Sequence, residues 1–216
     1  MSKKYEIFLF DLDGTITDSA LGITNSVMYA LKKFGIEETD RTKLYKFIGP
    51  PLTESFEKFY GFTKEQSLDG VKYYREYYHD KGIYENRVYD GLEEVLKKIN
   101  EAGKQAIVAT SKPEEYAKII IDHFHLTKYF ACVAGMEMDG GRGTKAQVIT
   151  YALEKNDIAD KSNVLMIGDR EHDVIGAHEN GLDCLGILYG FGSRKEFEEA
   201  GADYIRENVE DILQFV

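Results

Sequence analysis

Short apolar runs of strand length alternate with stretches of helical spacing along most of the chain. Residues 5–10 (YEIFLF) form a compact run of aromatic and β-branched residues that stops abruptly at Asp11, the pattern of a buried strand. Similar runs follow at 105–109 (QAIVA), 163–167 (NVLMI) and 184–188 (CLGIL), with 131–134 as a shorter candidate. Between them, residues 91–102 place Leu92, Val95, Leu96 and Ile99 on one helical face, and residues 113–124 and 145–155 show the same spacing. Strands separated by amphipathic helices predict right-handed crossovers and an α/β fold, a doubly wound, mostly parallel sheet with a Rossmann-like core.

From about residue 16 to residue 87 the pattern changes. Helical periodicity predominates, strand runs are missing, and the only prolines are the adjacent Pro50 and Pro51. The expected organisation is a core of residues 1–15 and 88–216 with an inserted helical cap domain at 16–87. An insert leaving just after the first strand is expected over that strand's C-terminal end, where open α/β sheets bind ligands, so a lid role is natural. Within it Tyr73, Tyr77 and Tyr84 recur at helix-compatible spacing and read as interhelical packing with hydroxyls at the surface. The segment 47–52 (FIGPPL), stiffened by its prolines, reads either as a loop that touches a leaving group or as a plain connection between helices.

Composition narrows the function classes. Of 216 residues 43% are hydrophobic and 30% charged, enough apolar surface for a packed core. The formal net charge of −11 opposes binding to nucleic-acid polymers or anionic lipid. Cys132 and Cys184 are the only cysteines, too few for a disulfide framework or a cysteine zinc site, which suits a reducing compartment. With no apolar run of about 18 residues and no secretory signal pattern, a cytoplasmic protein is expected, monomeric or homodimeric, with a small molecule as its partner.

Three polar clusters each end a strand candidate. Asp11-Leu12-Asp13-Gly14-Thr15 follows the first. In extended chain alternate side chains share a face, so Asp11 and Asp13 can enter one pocket while Leu12 packs the other way. Two buried carboxylates imply a cation or a shared proton, although an Asx-turn with a helix cap uses the same residues. Thr110-Ser111-Lys112 follows QAIVA and precedes Pro113, reading either as an ordinary N-cap or as an anion site at a helix start. Gly168-Asp169-Arg170-Glu171-His172-Asp173 follows NVLMI, and its spacing lets Asp173 return to the side of Asp169 as a helix begins. His172 reads as an exposed helix residue rather than a proton shuttle. Lys145, after the glycine-rich stretch 140–144, could bring positive charge to these acids; that stretch lacks the order of a nucleotide-phosphate loop and reads as a flexible connection.

Taken together, DLDGT at 11–15, TSK at 110–112, Lys145 and GDREHD at 168–173 resemble, in order, the motifs of the haloacid dehalogenase-like hydrolase superfamily, closest to its phosphoglycolate phosphatase-like branch with a helical cap. The resemblance spans essentially the whole chain. It implies a phosphoric monoester hydrolase in which Asp11 is the nucleophile and Asp13 the general acid/base. Thr110, Ser111 and Lys145 would bind the phosphoryl group. Asp11, Asp169 and the backbone carbonyl of Asp13 would ligate Mg2+, with Asp173 supporting the metal. The chain departs from many relatives at Ser111, where they carry Asn, and at Ala146, where they carry Pro.

The residue types fit that chemistry on their own terms. Hard oxygen donors suit magnesium, and no Cys or His group suits zinc. A second carboxylate has a task when an alkoxide must be protonated and none when a halide leaves, which disfavours dehalogenation. The substrates expected are phosphoglycolate or a nucleoside 5′-monophosphate. A sugar phosphomutase on the same scaffold and a non-catalytic phosphate-binding module are the alternatives.

Overall fold

A computed structural model describes residues 3–138 and 141–216; Met1, Ser2, Asp139 and Gly140 lie outside the described residues, so the stretch read as a flexible connection is described only from Gly141 onward. The chain divides into two compact units, 1–17 with 88–216 and 18–87.

The first unit is built on six strands: β1 (Ile7–Phe10), β4 (Gln105–Pro113), β5 (Phe130–Met136), β6 (Val164–Gly168), β7 (Asp183–Ile187) and β8 (Tyr204–Arg206). Their order is β5-β4-β1-β6-β7-β8, and every pairing in this sheet is parallel. Between them run α4 (Leu92–Glu101), α5 (Glu114–His123), α6 (Lys145–Lys155), α7 (Glu171–Glu179) and α8 (Arg194–Ala200). Sheet residues Leu9, Ile107, Val164, Met166 and Cys184 pack with Val148, Ile149 and Ala152 of α6 and Val174 and Ala177 of α7. Strands buried on both faces need apolar residues at successive positions, which is why they read as unbroken runs. β1 lies between β4 and β6, so the chain goes to one side of it first and to the other later. That reversal makes the C-terminal end of β1 the sheet's switch point.

The start of α6 has a local cause. Thr144 accepts from Gln147 N at 3.2 Å, and Gln147 Oε1 accepts from Thr144 N at 3.2 Å, a reciprocal cap that fixes Lys145 as the first helical residue. The start of α5 differs from the sequence expectation. β4 runs through Thr110-Ser111-Lys112 to Pro113 with a register shift between Thr110 and Pro113, and the helix begins at Glu114 without a side-chain cap. Neither Thr110 nor Ser111 is therefore an N-cap, because the bulge keeps the chain extended for three more residues.

The second unit holds α1 (Ala20–Lys33), a 3-10 helix (Arg41–Phe47), α2 (Leu52–Tyr60), α3 (Lys64–Tyr77) and a π-helical turn (Tyr78–Gly82). Two-residue strands, β2 (Thr17–Asp18) and β3 (Arg87–Val88), pair with each other where the chain crosses between units. Residues 48–51 connect the 3-10 helix to α2, with Phe47 and Ile48 buried and the Phe47 ring 5.2 Å from that of Phe56. Tyr73 and Tyr77 are half-buried and pack between helices as expected, their rings 5.7 Å from Phe34 at the end of α1 and 5.6 Å from Tyr29 within it, whereas Tyr84 is exposed; the buried pair is Tyr74 and Tyr78, stacked at 5.3 Å. No helix among the described residues is long and apolar enough to cross a membrane, and both cysteines are free thiols.

Candidate active site

Strand register brings the acid motifs to one edge. Phe10 is aligned with Val108 of β4 and with Ile167 of β6, and Asp11 N donates to Ile167 O at 2.9 Å. Asp11 thus extends β1 by one residue, beside Gly168 and Asp169. After it the chain folds back sharply, with Thr15, Ile16 and Thr17 all donating N–H groups to Leu12 O. Gly14 sits in this turn at φ +84°, and a Cβ there would overlap Asp169 Oδ2. The glycine is required twice, for the turn and for the approach of that carboxylate.

Asp11, Asp169 and Asp173 are all buried, and each offers an oxygen within 4.8 Å of the others. Lys145, only 6% exposed, reaches into the group from the start of α6: its Nζ lies 2.7 Å from Asp11 Oδ1 and 2.7 Å from Asp173 Oδ1, and donates to Ala109 O at 3.1 Å. Asp173 is also anchored by its own helix, since its Oδ2 accepts from Arg170 N at 3.1 Å. Arg170 in turn donates Nε to Glu196 Oε1 at 2.8 Å.

Three carboxylates and one ammonium give this pocket a formal charge of −2. Burial, followed by the negative charges of Asp173 and Asp11, pushes the Asp169 carboxyl well above the usual aspartate range, against the Phe191 N–H that donates to its Oδ2 at 2.8 Å. Burial raises Asp173 too, although Lys145 pulls it the other way. Burial would lower the Lys145 ammonium, but Asp11 and Asp173 together outweigh it and leave it raised. A site whose buried acids are driven toward protonation is one that a cation would relieve.

Asp13 lies outside this trio. Its Oδ2 is 2.6 Å from Lys112 Nζ, and the two side chains are 12% and 6% exposed. Thr110 is buried, its Oγ1 accepting from Lys112 N at 3.2 Å, and Ser111 is half-buried at the same strand end. His172 is half-buried in the first turn of α7.

Two parts of the site carry no role in the sequence pattern: Lys112 of the TSK motif and residues 189–192. Tyr189 donates to Thr15 O at 3.0 Å, and a Cβ at Gly190 would overlap Asp169 Cβ, so this loop walls the far side of Asp169. The signal available was a pair of glycines just beyond the strand candidate at 184–188.

Comparison with known proteins agrees with this architecture. The family model for haloacid dehalogenase-like hydrolases matches residues 8–187. The chain is 45% identical over 193 residues to a 5′-nucleotidase of Pseudomonas aeruginosa, covering 89% of this chain and 87% of that protein. It is 35% identical over 188 residues to the tyrosine-protein kinase PtkA of Mycobacterium tuberculosis, covering 87% of this chain and 63% of that one. The crystal structure of a predicted phosphatase from Clostridium acetobutylicum matches with a TM-score of 0.94 and 47% identity over 98% of both chains. A match over most of its length, joined to acid motifs gathered at the switch point of a parallel sheet, makes this chain an enzyme of the haloacid dehalogenase-like hydrolase family.

Proposed function

We propose that the protein is a magnesium-dependent phosphatase that hydrolyses a small phosphomonoester through an aspartyl-phosphate, with nucleoside 5′-monophosphates preferred to phosphoglycolate. The observation that carries the reading is the buried Asp11, Asp169 and Asp173 trio, which a single lysine leaves short of positive charge. Likeness to a 5′-nucleotidase supports the choice of substrate.

The donor set fits a hard divalent cation: carboxylate oxygens only, close together, with Asp169 held unfavourably as an anion in the cation's absence. Asp11, Asp169 and the carbonyl of Asp13 would hold Mg2+, and Asp173 would support it while orienting Lys145. When bound, the ion would supply positive charge that offsets the phosphoryl oxygens.

The chain's own groups then divide the work. Asp11 attacks phosphorus, forming a carboxylate O–P bond as the ester P–O bond breaks with its electron pair on the departing oxygen. Asp13 gives that oxygen a proton. It then takes one from the water that attacks phosphorus and frees Asp11 and inorganic phosphate. Lys145, Thr110 and Ser111 hold phosphoryl oxygens in line for the attack. Residues 18–87, inserted between the DLDGT motif and the rest of the core, are assigned the choice of substrate.

The test is phosphate release from a panel of phosphorylated metabolites with magnesium and with chelator, reported as kcat/KM. Metal-dependent turnover led by nucleoside 5′-monophosphates is expected. Full activity in chelator, or full activity of Asp11→Asn, would overturn the reading.

A further inference from the structure

Two lysines enter the site, and they separate its two leading acids. Lys145 takes Asp11 and Asp173, whereas Lys112 takes Asp13. Lys112 is buried and sits in the β4 bulge, where its N–H is tied to Thr110 Oγ1. Its Nζ engages only one Asp13 oxygen, Oδ2. The other, Oδ1, is buried and has no hydrogen-bond partner among the described residues.

We propose that Lys112 is a positioning residue for Asp13, holding Oδ2 so that Oδ1 is the atom that exchanges protons with substrate and water. This rests on Asp13 being the general acid/base. The ammonium only donates, and Oδ2 keeps an acceptor lone pair whether or not a proton sits on Oδ1, so the contact serves both halves of the cycle. In the first half the Oδ1–H bond breaks and its proton goes to the ester oxygen, which leaves phosphorus with the P–O electron pair while Asp11 bonds to phosphorus. In the second, Oδ1 takes a proton from the attacking water as the Asp11–phosphorus bond breaks. A short, buried, charge-assisted contact fixes the carboxyl rotamer far better than a solvated one.

The test exploits the leaving group. An alkoxide must be protonated as it departs, whereas 4-nitrophenolate is stable as an anion. Because kcat/KM covers the steps up to departure of the leaving group, it isolates the acid half-reaction. For Lys112→Met, kcat/KM relative to the wild type is measured on a nucleoside 5′-monophosphate and on 4-nitrophenyl phosphate using one preparation, so any misfolded fraction cancels from the ratio. The expected loss is about 10- to 100-fold on the nucleotide and under about threefold on the aryl ester, within the range of general acid catalysis. Equal losses on both substrates overturn the proposal. If the Met variant yields no soluble protein, Lys112→Arg is read the same way: a smaller loss with the same skew supports the proposal, and an unskewed loss overturns it. Asp13→Asn, run in parallel, separates the two layers. Equal losses there sink the acid/base reading of Asp13, whereas a skewed Asp13→Asn beside an unskewed Lys112 variant sinks only the role of Lys112.

Discussion

Replacing Asp169 with Asn should make the metal-free protein more stable while destroying its response to magnesium. At an effective dielectric of about 20, two unit charges 4.8 Å apart repel by about 3.5 kcal/mol, and Asp169 faces both Asp11 and Asp173 within that distance. Part of the repulsion is already shed because the carboxyl's raised pKa lets it take a proton. Against the gain stands the Phe191 N–H bond at 2.8 Å, whose charge-assisted part, about 1 kcal/mol, is lost when an amide oxygen replaces the carboxylate. With the equivalent of one of the two repulsions left after protonation, the balance is about 2.5 kcal/mol in favour of the variant, or about 5–10 °C in Tm for a chain of this size. Thermal unfolding is recorded for both proteins in chelator and in saturating magnesium. The wild type should gain about 3 kcal/mol from metal at a hundredfold excess over Kd, and the variant almost none. A variant less stable than the wild type in chelator, or stabilised equally by magnesium, would refute the electrostatic argument.

Three further outcomes follow from the same geometry. Lys145→Met leaves Asp11 and Asp173 without their shared ammonium, so it should cost about 3–5 kcal/mol in chelator by denaturant unfolding, with much of the loss restored by magnesium. Gly14→Ala places a side chain at φ +84° and against Asp169: about 1–2 kcal/mol of conformational cost, together with at least about tenfold weaker magnesium binding by calorimetry. Asp169 and Asp173 have raised pKa values in the folded state, so between the ordinary aspartate value of about 4 and those raised values the folded chain binds more protons than the unfolded one. Stability of the metal-free protein should therefore fall as pH rises through that window, and magnesium should flatten the slope of the urea midpoint against pH.

Where one physical cause dominated, sequence and structure agree closely. The helix at 145–155 starts where Thr144 and Gln147 cap each other, and the central strands show as apolar runs because helices cover both sheet faces. The elements that the pattern leaves unread have equally local causes. β8 and α8 are too short to show a period. The buried stripe of α3 is Ser67, Gly70 and Tyr74, continuing to Tyr78, and it escaped notice because its first two members are not apolar, while Tyr73 and Tyr77 offered an equally aromatic face. At the site, the order of DLDGT, TSK, Lys145 and GDREHD pointed to the acids that the fold gathers. The pairing of Lys112 with Asp13, and the packing of Gly190 against Asp169, depend on contacts between residues 99 and about 20 positions apart respectively, which spacing along one strand or helix does not encode.

In the proposed cycle Asp11 carries the phosphoryl group during turnover. The most direct test of this is rapid quenching of the magnesium-loaded enzyme with a radiolabelled nucleoside 5′-monophosphate, followed by borohydride reduction of any acyl phosphate and peptide mapping. Homoserine at position 11, and loss of the label from Asp11→Asn, are expected. Turnover with label or homoserine at another position, or undiminished turnover in Asp11→Asn, would contradict it.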